Sequence, residues 1–494
     1  MMKSDNSTYF TLWRWHFYAG MFVAPFLMLL AATGLAMILF ANITGKDLDR
    51  TTVAVQANTQ PIEQQAQNAL HALDSMGDVS NAKVVQYIAP RSADTVALFR
   101  VKAEQHGEKL DQFVLIDPYT AQVVQHFPRQ SNWYHTFDNI HGDILLGKTG
   151  DYLLETAASL TILLIVTGVY LWWHRRQSVK AMLIPTQNES GKRSLWRVIH
   201  ATLGSWVAII LLFFCITGLA WAGIWGEKMV QAWNQFPAGK WGVEPMPQSV
   251  IANAQPQDTP VQPHVHGAEN DSTHVASATH GEVLNDGKHK EVPWTLEQTA
   301  MPMSNTEQKQ PVVPTLSSIQ QQAQSLGFVG RYQINQPKGE TGVWTISQDS
   351  MSYDMPSPTA DRTVHIDQYS GAILADIHFT DYNLMGKFMA AGIALHMGTL
   401  GWWSVTANVL FCLSVILMCI AGYIMWWQRR PSQGLKSLNP PASGKAIKLS
   451  IPFAVILLIL SALFPTALIA ILVIALLDWL LIKRLALLQK LIQS

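Results

Sequence analysis

"WRWHFYAG" at Trp13–Gly20 places a histidine at the start of a long apolar run, with a glycine four residues after it. The same arrangement recurs in "HATLG" at His200–Gly204. In both places the triplet "TGL" follows 17 residues after the histidine, at Thr33–Leu35 and at Thr217–Leu219. Equal spacing in two distant segments indicates an internal repeat, and a repeat decides how the rest of the chain is divided.

The remaining segments of the two halves also correspond. Two further apolar runs end in "TGVYLWWHRR" and "AGYIMWWQRR", and His141 lies 31 residues before Trp172, as His396 lies 30 residues before Trp426. Between the runs, "PIEQQAQNALHAL" and "LSSIQQQAQSLG" predict helices, while "FVLIDPYTAQVV" and "TVHIDQYSGAIL" predict hairpins. Each half is therefore expected to consist of a span, a small α+β domain and a second span.

The composition predicts a polytopic membrane protein. Hydrophobic residues make up 49% of the 494 residues and charged residues 14%. The apolar residues are grouped in runs of about 20 or more, the length that crosses a bilayer. No cleavage site follows the first run, so it is expected to remain as a span. The 34 basic and 34 acidic residues balance, and nothing indicates a nucleic-acid partner.

The basic residues predict the orientation. The stretches that follow the second and fourth runs, 174–197 and 428–448, are rich in Lys and Arg and are expected to be cytoplasmic. The N-terminus is then cytoplasmic, and the two long segments lie outside the bacterial inner membrane. Both halves run outward, which makes this a parallel repeat about an axis along the membrane normal. The last run is interrupted at Pro465, and a hairpin turning near Phe464–Pro465 is favoured over one long kinked helix.

The predicted fold is an α-helical polytopic membrane protein. It has four core spans in a two-fold parallel repeat, a C-terminal hairpin or single span, and two small α+β extracytoplasmic domains. The expected boundaries are a first span at 1–42, a first extracytoplasmic domain at 43–140, a second span with an outer histidine at 141–174, a cytoplasmic loop at 175–198, a third span at 199–226, a His-rich linker at 227–312, a second extracytoplasmic domain at 313–380, a fourth span with an outer histidine at 381–428, a cytoplasmic loop at 429–449, an apolar hairpin at 450–484 and a cytoplasmic tail at 485–494.

Four histidines are the candidate functional residues, because ionisable residues in spans are costly. His16 and His200 are expected at the inner membrane edge, and His141 and His396 at the outer edge. Paired imidazoles from two halves are the axial ligands of a six-coordinate haem iron that transfers electrons. Since the sequence lacks C-x-x-C-H, any haem is held without covalent links. The glycines that follow His16 and His200 would let a flat macrocycle approach.

Several alternatives stay open for these residues. The alternative for the four histidines is that they cap helices or contact lipid head groups. His126 and His378 also correspond between halves and compete for the outer site. Arg14 and Arg197 precede the inner histidines and have two possible partners, haem propionates or lipid phosphates. His174 has no counterpart in the other half and is expected at the surface.

An insertion between Ile251 and Gln310 is found only in the second half. Its Pro-, Gln- and Asn-rich composition predicts a mobile loop without a packed core, which is either a solvated tether or a scavenger of metal ions. Its histidines are His264, His266, His274, His280 and His289. The three cysteines, Cys215, Cys412 and Cys419, fall inside spans and are expected to be buried apolar residues.

The sequence lacks the motifs of several other enzyme classes. It has no Gly-rich dinucleotide fingerprint, no Walker loop, no H-E-x-x-H and no nucleophile with partners. A separate electron donor is therefore required, either a quinol or a cytoplasmic reductase. Two other classes remain: a membrane-anchored binding or regulatory module, and a permease built on a parallel repeat. A permease is expected to have broken spans with polar residues at the midplane.

The elements "WRWHFYAG", "IHGDILLG", "VIHATLG" and "LHMGTLG" resemble the PepSY-associated transmembrane family over nearly the whole chain. Within it, the chain is similar to inner-membrane ferric-siderophore reductases of the ferrioxamine-reductase type. The resemblance implies two PepSY-like extracytoplasmic domains, two non-covalent b-type haems and a periplasmic ferric chelate as substrate. It also implies that His16 and His200 hold an inner haem, and that His141 and His396 hold an outer haem.

Overall fold

A computed structural model of the chain describes residues 6–176, 178–184, 192–226, 278–285, 291–304, 313–429 and 451–483. The chain divides into two compact units. The membrane unit comprises Met1–Phe40, Trp133–Gln235 and Gly401–Ser494, and the sheet unit comprises Ala41–Asn132 and Phe236–Leu400.

The described helices, in chain order, are α1 (Asn6–Ile43), α2 (Ile62–His71), α3 (Trp133–Asp143), α4 (Lys148–Arg176), α5 (Val179–Leu183), α6 (Lys192–Leu219), α7 (His280–Leu284), α8 (Leu316–Ser325), α9 (Leu384–Met397), α10 (Trp402–Trp427), α11 (Ile451–Leu463) and α12 (Pro465–Lys483). The strands are β1 (Val79–Ile88), β2 (Ala97–Gln105), β3 (Glu108–Ile116), β4 (Val123–Pro128), β5 (Gln333–Asn335), β6 (Val343–Gln348), β7 (Arg362–Asp367) and β8 (Ile373–His378).

Four helices of the membrane unit are long and apolar enough to cross a bilayer: Thr8–Ile43, Lys148–Arg175, Leu195–Leu219 and Trp402–Trp427. The protein is therefore a multi-pass membrane protein. One side of each helix packs into a shared core that includes Val23, Leu163, Leu211 and Val415. Other apolar side chains point outward, such as Ile209, which is 82% exposed in the protein alone. A bilayer is the solvent that such an apolar surface requires.

The C-terminal apolar run is divided at Phe464 into α11 and α12. We expected a turn at this position, and a proline at the first position of a helix is favourable there because its missing N–H would have no helical partner. Thr466 lies with its Oγ1 3.1 Å from Oγ of Ser159 on α4. Trp225 donates from Nε1 to the Leu463 carbonyl at 2.9 Å. These contacts attach the division point to the rest of the membrane unit.

The sequence predicts that the two outer histidines belong to the spans, but the structure places both of them outside the spans. His141 lies on the short helix α3 and His396 on the short helix α9, and the spans α4 and α10 begin several residues later. The physical reason is backbone conformation: Gly147 has φ 60°, while Gly398 and Gly401 have φ 74° and 89°. Left-handed residues end a right-handed helix, and glycine adopts this conformation at no steric cost.

The sheet unit contains one eight-stranded antiparallel sheet in the order β4-β3-β2-β1-β5-β6-β7-β8. We expected two separate small domains, but β1 pairs with β5, with Tyr87 opposite Ile334, so the halves share one sheet. The reason lies in the edges, since each four-stranded half alone would leave the β1 or β5 edge with unpaired backbone groups. The junction also carries a buried hydrogen bond of 2.8 Å between the side chains of Gln86 and Gln333.

One face of the sheet is covered by α2 and α8. These short amphipathic helices place Ile62 and Ile319 in a common core with Phe99 and Ile346 of the strands.

Part of the insertion is folded, which corrects our expectation of a loop without a core. In 278–285 and 291–304, which we call the docked segment, His280 is 1% exposed and Leu296 is 0% exposed. The segment begins with a capping box of Thr279 and Glu282, and Val292 and Leu296 pack on Ile377 of β8. The few apolar residues of the insertion are concentrated here, where composition averaged over 60 residues hides them. His264, His266, His274 and His289 lie outside the described residues.

Candidate functional site

The structure brings together the predicted inner pair, His16 of α1 and His200 of α6. Their ring centroids are 6.3 Å apart, and the ring planes are inclined by 85°. A metal–imidazole bond is about 2.0–2.1 Å long, so two imidazoles on opposite sides of one metal ion have centroids about 6–6.5 Å apart. The spacing of the pair therefore fits two axial ligands of one metal centre.

Hydrogen bonds fix the protonation of both rings. Nδ1 of His200 lies 2.9 Å from the carbonyl oxygen of Met418, which can only accept, so this Nδ1 carries the proton. Nδ1 of His16 lies 2.9 Å from Oγ1 of Thr167. That hydroxyl already donates to the Leu163 carbonyl at 2.8 Å, so it accepts from His16. In both neutral rings Nε2 is left unprotonated as the ligand atom.

Each of these rings lies against the backbone of a glycine. A Cβ added to Gly168 on α4 would lie 3.1 Å from Cε1 of His16. One added to Gly422 on α10 would lie 3.5 Å from Cε1 of His200. The glycines therefore let the helices approach the rings closely, and any larger residue at Gly168 would displace the imidazole.

His141 is held in the same way by α1. Its Nδ1 lies 2.9 Å from Oγ1 of Thr33, and the Thr33 hydroxyl donates to the Leu29 carbonyl at 2.8 Å. A Cβ added to Gly34 would lie 3.4 Å from Cε1 of His141. A Thr-Gly pair thus supports His141 as Thr167 and Gly168 support His16. In the sequence, "TGL" and "TGV" served only as markers of the repeat, and the support of a histidine ring by their threonine and glycine was not predicted. The constant distance of these motifs from the histidines was the signal for it.

One family model matches most of the chain. The family model for the PepSY-associated TM region matches residues 13–429, most of the chain, and this range contains all four candidate histidines. The chain belongs to the PepSY-associated transmembrane family. No curated protein matches it.

The two histidines of the predicted outer pair in this PepSY-associated protein belong to different units. His141 lies on α3 of the membrane unit, and His396 lies in the last turn of α9, within the sheet unit. Their pairing stays a prediction.

The alternative outer pair, His126 and His378, cannot bind one iron together. His126 lies on β4 and His378 ends β8, the opposite edges of the eight-stranded sheet. Seven strand spacings of about 4.8 Å separate these edges, far more than two ligands of one metal can span. His378 is instead close to its neighbour Asp376, with Nε2 3.2 Å from Oδ1.

The two arginines near the inner histidines differ in burial. Arg14 is 2% exposed, and its Nη1 donates to the Phe10 carbonyl at 3.5 Å. Such burial disfavours a lipid phosphate as its partner, because lipid contacts only the outer surface of the helices. Arg197 is half-buried on α6. His174, expected at the surface, is half-buried and lies 5.0 Å from the ring of Tyr9.

Among the described residues, no group of three or more His, Cys, Asp or Glu is placed to hold a metal ion. A Cβ added to Gly20 or Gly204 would be in ordinary contact with a neighbouring side chain, Leu164 at 3.9 Å or Met418 at 3.5 Å.

Helix α1 carries the ligand of one histidine site and the support of the other at well-separated positions. His16 and Thr33 are 17 residues apart on α1. At 1.5 Å per residue this separation is about 25 Å, close to the thickness of the hydrocarbon core. The helix therefore places one site near each end of its span.

Proposed function

We propose that this PepSY-associated protein transfers electrons across the bacterial inner membrane to a ferric chelate in the periplasm, with its N-terminus in the cytoplasm. The observation that carries the proposal is the pairing of His16 and His200 at 6.3 Å between ring centroids, with both Nδ1 atoms engaged in hydrogen bonds. Residues that only capped helices would not need their rings to be opposed in this way.

His16 and His200 would hold an inner b-type haem through Nε2. Such a haem would supply one-electron transfer. The chain's own contribution is to keep both imidazoles neutral and oriented, through Thr167 and the Met418 carbonyl. Arg14 and Arg197 would be near enough in sequence to pair with the propionates.

An outer haem would be held by His141 and His396. The proposal rests on the repeat for this pair and on the support of His141 by Thr33 and Gly34. With the ligand His16 and the support Thr33 about 25 Å apart along α1, the two sites would divide the membrane crossing into steps.

The substrate and the donor come from the resemblance to ferric-siderophore reductases. Reduction of Fe(III) to Fe(II) weakens its binding by hard oxygen ligands, which releases iron from a chelator. A quinol in the bilayer or a cytoplasmic reductase would supply the electron. The sheet unit would bind the ferric chelate.

The test is a reduced-minus-oxidised visible spectrum of the purified protein, with haem quantified per chain. We expect about two haems per chain, since two bis-histidine sites are proposed. His16→Ala or His200→Ala should remove one and leave the other. His174→Ala, a histidine outside both sites, is the matched control and should retain both.

Two results would overturn the proposal. Protein without haem would favour a membrane-anchored binding module, and four single histidine variants that all retain both haems would disprove the ligand assignment. A permease is disfavoured by the spans themselves, because α1, α4, α6 and α10 are continuous helices.

A further inference from the structure

Two buried histidines of the sheet unit are in contact where the docked segment packs on the sheet. His280 comes from α7 of the docked segment and His365 from β7, and they are 1% and 0% exposed. Their Nε2 atoms are 2.8 Å apart. This distance is a hydrogen bond between two imidazoles and is too short for a metal ion to lie between them.

The neighbours of the pair determine which nitrogen carries each proton. Nδ1 of His280 lies 2.9 Å from the Thr299 carbonyl and must donate to it. Its Nε2 is then an acceptor, so Nε2–H of His365 is the donor. Nδ1 of His365 accepts from the Thr345 hydroxyl at 3.0 Å. All four ring nitrogens are satisfied when both rings are neutral.

We propose that the His280–His365 pair is a pH-sensitive latch, which holds the docked segment on the sheet while both rings are neutral and releases it as the pH falls. A proton added to Nε2 of His280 would set two N–H groups against each other at 2.8 Å. A proton added to Nδ1 of His365 would place a positive charge in a fully buried site. Both forms are favoured by separation of the two surfaces. The inference does not depend on the proposed electron transfer.

Charged neighbours on the elements around the pair are engaged elsewhere. β6 carries no titratable residue. The docked segment carries three glutamates: Glu282 accepts from the Thr279 N–H, Glu297 accepts from Asn285, and Glu291 pairs with Arg129. Strands β7 and β8 carry two aspartates: Asp367 accepts from the Tyr369 N–H, and Asp376 pairs with Arg362 and His378. None supplies a counter-ion to an imidazolium in the pair.

The sign of the pH effect follows from burial. Burial and the neighbouring His280 lower the pKa of His365 to about 3, and burial lowers the pKa of His280 as well. Above the ordinary histidine pKa of about 6.5, both rings are neutral whether the segment is docked or free. Below it the free form binds protons that the docked form does not, so docking weakens by up to about tenfold per pH unit for each histidine.

Release would open a cleft beneath the docked segment. Trp294 and Thr295 of the segment line it together with Asp361 and Tyr382 of the sheet. Nε1 of Trp294, Oγ1 of Thr295 and the Tyr382 hydroxyl have no hydrogen-bond partner there. Unpartnered polar groups lower the stability of the docked form, which makes a single latch decisive for it.

The test is thiol accessibility in the full-length protein. Val292, 3% exposed on the inner face of the docked segment, is replaced by cysteine, and Met303, 49% exposed near the end of the segment, is replaced by cysteine in a second variant. Both are labelled with a membrane-impermeant maleimide from pH 8 to pH 5. The ratio of the two labelling rates removes the intrinsic pH dependence of the thiol.

We expect a constant ratio above pH 7 and a reversible rise of at least about tenfold between pH 6 and pH 5. His71→Gln, which removes a histidine of the same unit that is 75% exposed, should leave the rise unchanged. His280→Gln with His365→Gln should abolish it. A ratio that stays constant to pH 5 in the parent, or a rise that persists in the double variant, would overturn the latch. If the docked segment of the double variant is already released at pH 8, the titrations of the parent and of the His71→Gln control decide whether the latch exists.

Discussion

The threonine hydroxyls beside His16 and His141 both donate to their own helices, which determines what they offer the rings. Thr167 and Thr33 each bond the carbonyl four residues earlier, Leu163 and Leu29, at 2.8 Å. A hydroxyl has one proton, so its lone pairs remain for an Nδ1–H. This arrangement selects one tautomer and orients the ring before any cofactor binds.

Thr167→Val should weaken the inner cofactor site at almost constant volume. The variant removes the acceptor of the His16 Nδ1–H, and loss of such a contact lowers affinity about 10- to 100-fold. Haem titration and the midpoint potential of the inner haem measure it. The matched control is Thr161→Val, because the Thr161 hydroxyl is buried on the same helix and bonds only to the Ala157 carbonyl at 2.8 Å among the contacts described. Equal behaviour of the two variants would contradict the role of Thr167.

At the scale of the helices, the sites are formed where a glycine allows a second helix to approach. Gly168 of α4 faces His16 of α1, and Gly34 of α1 faces His141 of α3. α1 therefore supplies a ligand at one depth and a support at the other. Small displacements of α1 against its neighbours would affect both sites.

Alanine at these glycines should affect one site each. Gly168→Ala places a methyl 3.1 Å from the His16 ring, and Gly34→Ala places one 3.4 Å from the His141 ring. The first spacing requires the ring to move and the second is near ordinary contact, so the first variant should lose more haem. Each variant controls for the other. Low-temperature spectra that resolve the two haems measure the loss, and an effect of Gly168→Ala confined to the outer haem would show that the assignment is wrong.

The repeat made the membrane helices and the inner pair predictable from sequence, because equal spacings in two halves imply equal depths. The breaks after His141 and His396 were harder to predict, because the glycines around them, Gly147 and Gly401 among others, indicate a change of backbone without fixing where one helix ends and the next begins. The burial of His280 was hidden because it depends on the tertiary partner His365. Periodicity describes single segments and does not show which surfaces they cover.

At the scale of the whole molecule, an ion cluster connects the segment after α1 to the second half of the sheet unit. Arg331 is 2% exposed and lies 3.0 Å from Asp47 and 3.3 Å from Asp49, and it also pairs with Asp354. The three carboxylates raise the pKa of Arg331 in spite of its burial. Without the guanidinium, all three carboxylates would lose a buried positive charge, and Asp49 would keep its ion pair with Arg91 at 2.7 Å.

Arg331→Met should destabilise the sheet unit by about 3–5 kcal/mol, the cost of removing one partner from a buried ion pair. Arg362→Met is the comparison, since Arg362 is 20% exposed and pairs with one carboxylate, Asp376, so its replacement should cost less than that of Arg331. Chemical denaturation followed by sheet-sensitive circular dichroism measures both. A loss for Arg331→Met no larger than for Arg362→Met would contradict the role of the cluster.

The pairing of β1 with β5 has a consequence for the origin of the molecule. Gln86, Tyr87 and Ile88 run antiparallel to Asn335, Ile334 and Gln333. Two identical polypeptides related by a two-fold axis would join their edge strands in this way. An ancestor with a single half would therefore assemble as a symmetric homodimer through this sheet edge, and gene fusion would make that assembly independent of protein concentration.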